Sequence, residues 1–329
     1  MSFISFDHVD RKSPDAPVAG DVHQVRTVYA MDVDEHAHNL TNWEQSYDQI
    51  TPGRFQGALA ELQLPQMQVF RESLSQAVRQ SCCVWPETFW FGLVEGAATR
   101  INGRLADADK IMVRPGHCEF ELVTPADYAT YGIVIQRDAL VRAADQMGCQ
   151  IDWTRLTGAQ ALEVSAASRA SCLRTLSALL SQQGICRNLV TCQQELTDLL
   201  LTMLDTSAVD GPMSNSFMRR QRIVAKARDY VLGHRDQAVT VPELCERLHV
   251  SRRTLQYCFE DVLDISPMQY LRLIRLNGAR RHLRENLSNA LTVQDVATDW
   301  GFWHFSQFSS DYRKLFGCCP SESLHYRPH

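Results

Sequence analysis

The 329-residue sequence has no Cys-x-x-Cys pair, and none of its apolar runs approaches the roughly 18 residues that a membrane span needs. Nor do its first twenty residues, MSFISFDHVDRKSPDAPVAG, contain an apolar stretch. The first absence argues against a tetrahedral zinc site and the second against an integral membrane protein. The third reads as no signal peptide, so the expected location is cytoplasmic. The eleven cysteines are an odd number and include the neighbours Cys82-Cys83 and Cys318-Cys319, a spacing that fits no disulfide framework. Most are expected to be small buried side chains in a reducing compartment. No phosphate loop, Ser/His/Asp spacing or carboxylate pair stands out, so no catalytic residue, metal or cofactor is expected.

With 45% apolar and 22% charged residues the chain is an ordinary globular one, long enough for two cores. A net charge of −5 spread evenly would speak against nucleic acid. It is not spread evenly. Residues 217–329 carry 17 Lys and Arg against 12 Asp and Glu, a net of +5 that leaves −10 for residues 1–216. The C-terminal part is therefore the candidate for a polyanionic partner.

Residues 1–20 are polar, contain Pro14 and Pro17, and read as a flexible lead-in. Between about 55 and 136, strand-like stretches such as FQGALAELQL, CEFELV and YATYGIVIQ alternate with turn residues. Asn102-Gly103 sits where a type I′ hairpin turn belongs. These signals predict a small β-barrel or sandwich within a domain of residues 21–205. Helical periodicity takes over near 137, with RDALVRAADQMG, SRASCLRTLSALLSQQ and RNLVTCQQELTDLLLTMLD. In the last two, Leu173, Leu176 and Leu180, and Leu196, Leu200 and Met203 or Leu204, form apolar ridges. Such ridges suit either a second subunit, giving a homodimer, or the domain's own sheet. Residues 206–217, with Gly211-Pro212, read as a linker to a domain of residues 218–329.

In that last domain a unit is repeated. Thr240 begins a short helix whose Val241, Leu244 and Leu248 share a face, and after a tight turn Ser251 caps a second helix with Leu255, Phe259 and Val262 or Leu263 pointing back. At an offset of 52, Thr292, Val293, Val296 and Trp300 repeat the first helix. At 53, Phe308, Tyr312, Phe316 and Pro320 repeat Leu255, Phe259, Leu263 and Pro267, the extra residue falling at Gly301-Phe302-Trp303. Two helix-turn-helix units, about 240–262 and 292–316, are thus predicted. Between them Met268 to Glu285 form an amphipathic helix roughly 27 Å long. That compares with the ~34 Å between successive major-groove turns on one face of B-DNA. One chain of this kind fills two adjacent grooves of double-stranded DNA, and its chemistry is readout.

Residues left on the outward faces are the DNA-binding candidates. The first unit presents Ser251, Arg252, Arg253, Gln256 and Tyr257, types that pair with base edges and phosphates. The second presents His304, Phe305, Ser306, Gln307, Ser309 and Ser310, with no arginine before Arg313. Base discrimination is therefore expected mainly from the first unit, with the second docking or reading shape.

From about 220 to 327, including RLNGARRHL and GFWHFSQFSSDYRKLFGCCPSESL, the chain resembles the AraC/XylS family of transcription regulators. The resemblance implies a seven-helix DNA-binding domain with Arg253, Gln256 and Tyr257 facing bases, and RNA polymerase as partner in activation. Trp303-His304-Phe305 departs from the small polar residues usual there. The N-terminal segments HQVRT, TNWEQSYDQITPGRFQGALAEL, VFRESLSQAVRQSCCVWPETFWFGL and RPGHCEFEL resemble the family's ethanolamine-utilisation branch, which implies ethanolamine and adenosylcobalamin as effectors. Related regulators serve virulence or quorum circuits, and a ligand-independent member of that kind is the alternative; an enzyme fused to a DNA-binding domain is a further one. The expected architecture is α+β: an N-terminal small β-barrel of cupin-like form with helices, and a C-terminal all-α domain of two helix-turn-helix units joined by a long helix.

Two further clusters carry weaker chemistry. His36-Ala-His38, beside Asp34 and Glu35, has the form of a metal motif, but Glu44 is poorly spaced from it and a helix is expected to follow, so a solvated turn is the expectation. Trp85, Phe89, Trp90 and Phe91 suit either plain core or an effector pocket, with Trp85 and Trp90 its candidates.

Overall fold

The computed structural model describes residues 24–107, 109–181, 188–209, 214–285 and 291–324. The expected lead-in, residues 1–20, and Gly211-Pro212 of the expected linker lie outside them.

The N-terminal half is built on two antiparallel sheets. One has the strand order β1 (Arg26–Ala30), β3 (Gly57–Leu64), β4 (Met67–Leu74), β11 (Tyr128–Gln136), β6 (Thr88–Glu95), β9 (Lys110–Pro115), β12 (Ala161–Glu163) and β13 (Ala208–Val209). The other runs β2 (Glu44–Gln49), β5 (Val78–Cys83), β10 (Phe120–Thr124), β7 (Thr99–Ile101) and β8 (Arg104–Ala106). Asn102 and Gly103 take φ of 47° and 73° between β7 and β8, the two left-handed residues that a type I′ turn requires. No strand of one sheet pairs with a strand of the other among the described residues, so the expected barrel is not closed. The domain is a sandwich.

The larger sheet is covered on both faces, which explains why its central strands read as continuous apolar runs rather than alternating ones. TFWFGLVE of β6 is buried from Thr88 to Val94. One face meets the smaller sheet through Tyr47, Phe70, Trp90, Phe120 and Val134. Against the other lie α2 (Arg137–Met147), α3 (Trp153–Gly158), α4 (Ala166–Leu180) and α5 (Leu189–Asp205), in a core with Phe91, Ile111, Ile133, Leu176, Leu196 and Leu200. The leucine ridges of α4 and α5 are thus consumed by their own sheet. Leu176, Leu180, Leu196, Leu200, Met203 and Leu204 are all buried.

Four expectations are corrected. Strands begin at Arg26, well before residue 55, and the segment after His38 enters β2 instead of a helix. The short helix α1 (Val33–Ala37) carries the histidine motif, and His36 is buried rather than solvated: its ring lies 5.5 Å from that of Phe55, and Nε2 is 3.1 Å from Glu72 Oε1. His38 is exposed, its Nδ1 at 2.6 Å from the Asp34 carbonyl. Among the described residues nine cysteines are free, of which Cys82, Cys172 and Cys258 are buried, and Cys192 is in a disulfide. Adjacent cysteines on a strand face opposite sides, so Cys82 enters the core while Cys83 does not.

Seven helices follow among the described residues: α6 (Asn215–Gly233), α7 (Val241–Leu248), α8 (Arg252–Leu263), α9 (Pro267–Glu285), α10 (Val293–Asp299), α11 (Phe305–Phe316) and α12 (Pro320–Leu324). They enclose two cores, and α9 belongs to both. Its Tyr270, Leu271 and Ile274 join Leu244, Leu255 and Phe259, while its Leu276, Ala279 and Leu283 join Val296, Trp300, Phe308 and Tyr312. Gly278 stands in this helix because a Cβ there would lie 2.1 Å from the Trp300 ring. A glycine costs about 1 kcal/mol of helix propensity relative to alanine, and here it admits the tryptophan.

Candidate nucleic-acid interface

Both units start alike. Thr240 accepts a hydrogen bond from the Glu243 backbone while the Glu243 carboxylate reaches back, and Thr292 and Asp295 do the same at α10. The turns then differ. His249 ends α7 in the left-handed region at φ 53°, whereas α10 ends at Trp300 and the left-handed residue is Gly301 at φ 69°. A Cβ at Gly301 would lie 2.8 Å from the Gln237 carbonyl, so the second turn carries the inserted residue where only glycine is tolerated.

The second helix of each unit follows. Ser251 Oγ accepts from the Thr254 amide at 3.0 Å and starts α8. Leu255, Phe259, Val262 and Leu263 are buried, which turns Arg252, Arg253 and Tyr257 to solvent and leaves Gln256 half-buried, its Nε2 donating to Glu260 Oε1 at 2.5 Å. Arg220 of α6 pairs with Asp261 at 2.7 Å and lies over the Tyr257 ring at 5.3 Å, fixing that ring on the surface. In α11, Phe308, Tyr312, Leu315 and Phe316 are buried and His304, Phe305, Ser306, Gln307, Ser309, Ser310 and Arg313 are exposed. Every DNA-binding candidate thus lies on an outward face, eleven of the twelve exposed and Gln256 half-buried.

Sequence reasoning missed how the sandwich grips these helices from behind. Asp32 pairs with both Arg280 and Arg284 of α9, and Arg281 donates to Asp48 at 2.8 Å. Asn277 accepts from the Gln49 amide at 2.9 Å and donates to its carbonyl at 3.0 Å, as a paired strand would. The Gln49 side chain donates to the Leu315 carbonyl at 2.7 Å, Arg54 to that of Gly317 at 3.2 Å, and Arg100 to that of Asp261 at 3.0 Å. These contacts take the C-terminal ends of α8 and α11 and leave the N-terminal ends, where a recognition helix meets bases, open. The one available signal was charge: Asp32 and Asp34 in the acidic half, Arg280, Arg281 and Arg284 in the basic one.

Buried charge tunes this contact. Burial and the neighbouring Asp32 push the Asp34 carboxyl up to about 6 despite the Arg281 and Arg280 guanidinium groups. For Asp32, burial acts upward too, but Arg280 and Arg284 hold it below the usual carboxylate range.

The aromatic candidates for an effector sit in the sandwich. Trp90 is buried, stacked on Phe120 at 4.8 Å and edge-on to Trp43 at 6.1 Å. Trp85 is half-buried at its margin. Burial pushes the thiols of Cys82 and Cys83 up, the opposite of what a reactive cysteine needs.

Residues 244–325 match the helix-turn-helix domain family. That stretch takes in α8 to α12 and forms a helix-turn-helix domain. Among curated relatives, a probable thc operon regulatory protein from Rhodococcus erythropolis is 37% identical over 106 residues, 32% of either chain. XylDLEGF operon transcriptional activator 3 from Pseudomonas putida is 29% identical over 128 residues, 39% of this chain and 38% of the relative. The chain thus spans about a third of the length of these two relatives. Among solved structures, the AraC-like transcriptional activator CuxR aligns over 84% of this chain and all of its own, at 15% identity and a TM-score of 0.42. No described helix is long and apolar enough to cross a membrane.

Proposed function

We propose that the whole chain is a sequence-specific transcriptional regulator, an activator working with RNA polymerase, that lays α8 and α11 in adjacent major grooves. The observation that carries this is the duplicated unit on one continuous 19-residue helix, with both recognition helices open at their N-terminal ends. Residues 218–329 act as the DNA-binding domain and residues 21–205 as a regulatory domain. Arg252 and Arg253 supply guanine-reading and phosphate-binding groups, with Gln256 and Tyr257 beside them, and Ser251 orders the helix start. Selection of binding sites from random duplexes, followed by gel-shift titration, tests the reading. Arg253→Ala is expected to weaken binding by about 1–3 kcal/mol and to blur the sequence preference. Ser310→Ala is expected to cost less than about 0.5 kcal/mol. Equal losses would remove the assignment of base readout to the first unit.

For regulation, the resemblance of the N-terminal segments favours ethanolamine as effector, with Trp85 and Trp90 at its site. Trp43, Phe70, Trp90 and Phe120 pack on one another between the sheets, which favours Trp90 as plain core over a wall of an open effector pocket. That same packing favours the second reading, in which the sandwich binds no ligand and control comes through partners or abundance. Thermal unfolding of the full chain separates them: an effector at a hundredfold its Kd raises stability by about 2.7 kcal/mol by mass action. A homodimer through the sandwich domain belongs to the proposal and needs a face other than the buried leucine ridges; a monomer by sedimentation at micromolar concentration would exclude it.

A further inference from the structure

We propose that the second helix-turn-helix unit reads thymine, by apolar contact of Trp303 and Phe305 with the C5-methyl group; this rests on the DNA-binding reading above. Adjacent large apolar side chains in water mark an interaction surface. Trp303 is 63% and Phe305 36% exposed, in the turn and first residue of α11, the part of a recognition helix that meets base edges.

Neither ring is needed to hold the unit together. Its core is filled by Phe302, Phe308, Tyr312 and Phe316, whose successive ring centroids are 4.6–5.6 Å apart. The first unit makes the contrast: Val250 precedes the N-cap Ser251 as Trp303 precedes the N-cap His304, yet Val250 packs on its own core.

Polar readout at this tip is weak. Gln307 Nε2 donates to Asp311 Oδ1 at 2.6 Å, and Asp311 is also paired with Arg272, so the one amide on the face is engaged. Ser306, Ser309 and Ser310 are short, and the first cation along the helix is Arg313. What remains at the tip, beside the His304 imidazole, is apolar surface. The matching apolar group on a base edge in the major groove is the thymine methyl.

The test uses the site selected from random duplexes, resynthesised with each thymine replaced in turn by deoxyuridine, which removes the methyl and nothing else. Full-length protein is expected to bind at least one such duplex about fourfold more weakly, the effect of one desolvated methyl. Trp303→Ala, or Phe305→Ala, should bring the thymine-to-uracil ratio at that position towards one with the melting temperature unchanged. Equal binding of every thymine and uracil duplex by the wild type would overturn the proposal, as would variants that weaken both duplexes alike. So would a variant that binds DNA normally but activates transcription poorly, which would assign the patch to a protein partner. Failure to enrich any sequence would instead remove the DNA-binding reading itself.

Discussion

In the first unit the N-cap of the recognition helix is Ser251, whose hydroxyl takes up an orphan amide, and two arginines follow; in the second it is His304, which makes no cap bond and is flanked by Trp303 and Phe305. Behind these tips the units are nearly superposable in kind: a Thr capping box, an apolar short helix, a left-handed turn residue, a recognition helix burying a face of aromatic and aliphatic residues. The frame is duplicated while the reading surface is not, which is what two units on one rigid helix allow. In the proposed complex α9 would set the register between grooves, leaving each tip free to take its own chemistry. They also differ in how the sandwich holds them. The first is touched at the β7–β8 turn, where Arg100 donates to the Asp261 carbonyl and the Asn102 carbonyl accepts from Gln221 of α6, the second through Gln49, Arg54 and the arginines of α9.

If the frames are equivalent, their central phenylalanines are too. Phe259→Ala and Phe308→Ala are each expected to lose about 3–5 kcal/mol in denaturant unfolding, since both rings are fully buried in the core of their unit. A loss at one site well below the other would show that one unit leans on the sandwich for its stability. Arg280→Ala comes next. It leaves Asp32 and Asp34 buried beside a gap, and removing one partner of a buried pair costs about 3 kcal/mol. Hydrogen exchange should then rise in the second half of α9 and in α11 more than in α8; uniform loosening would break the distinction in how the units are held. Gly278→Ala, which forces a methyl against Trp300, is expected to cost about 1–3 kcal/mol, read by thermal unfolding.

The tips were legible in the sequence because a helix-turn-helix is local: caps, apolar spacing and a turn residue lie within a few positions, and duplication doubled the signal. Asn102-Gly103 was legible for the same reason. What was not legible is what depends on partners distant in sequence. Closure of the sheets is decided by whether edge strands β1 and β2 meet, which nothing in RTVYA or EQSYDQ encodes alone. Burial of the leucine ridges on the sheet rather than on a second subunit is likewise a long-range choice, and His36 enters the core because Tyr47, Phe55 and Glu72 surround it. The Asp32–Arg280 contact spans 248 residues.

The hold on the second unit carries a pH dependence of its own. Asp34 meets Asp32 and Asp48 on its own domain and Arg280 and Arg281 on α9, with ion-pair distances of 3.6 Å to each arginine. Its carboxyl, ordinarily near 3.8, is pushed up to about 6. A raised carboxyl keeps its proton in the folded chain where the unfolded chain has lost it, so its contribution is fully present below about pH 4 and is lost as pH rises through about 6. Asp32, held low, acts in the opposite sense: its contribution is present above about pH 4 and is lost only as pH falls below that. Asp34→Asn should therefore match the wild type near pH 4 and exceed it by about 1–2 kcal/mol at pH 7.5, with the change between these limits. Thermal unfolding across that range measures it. A variant less stable than wild type at pH 7.5 would mean that the ionised Asp34 binds the α9 arginines more strongly than its burial opposes, and that the second unit is held by three carboxylates rather than by Asp32 and Asp48.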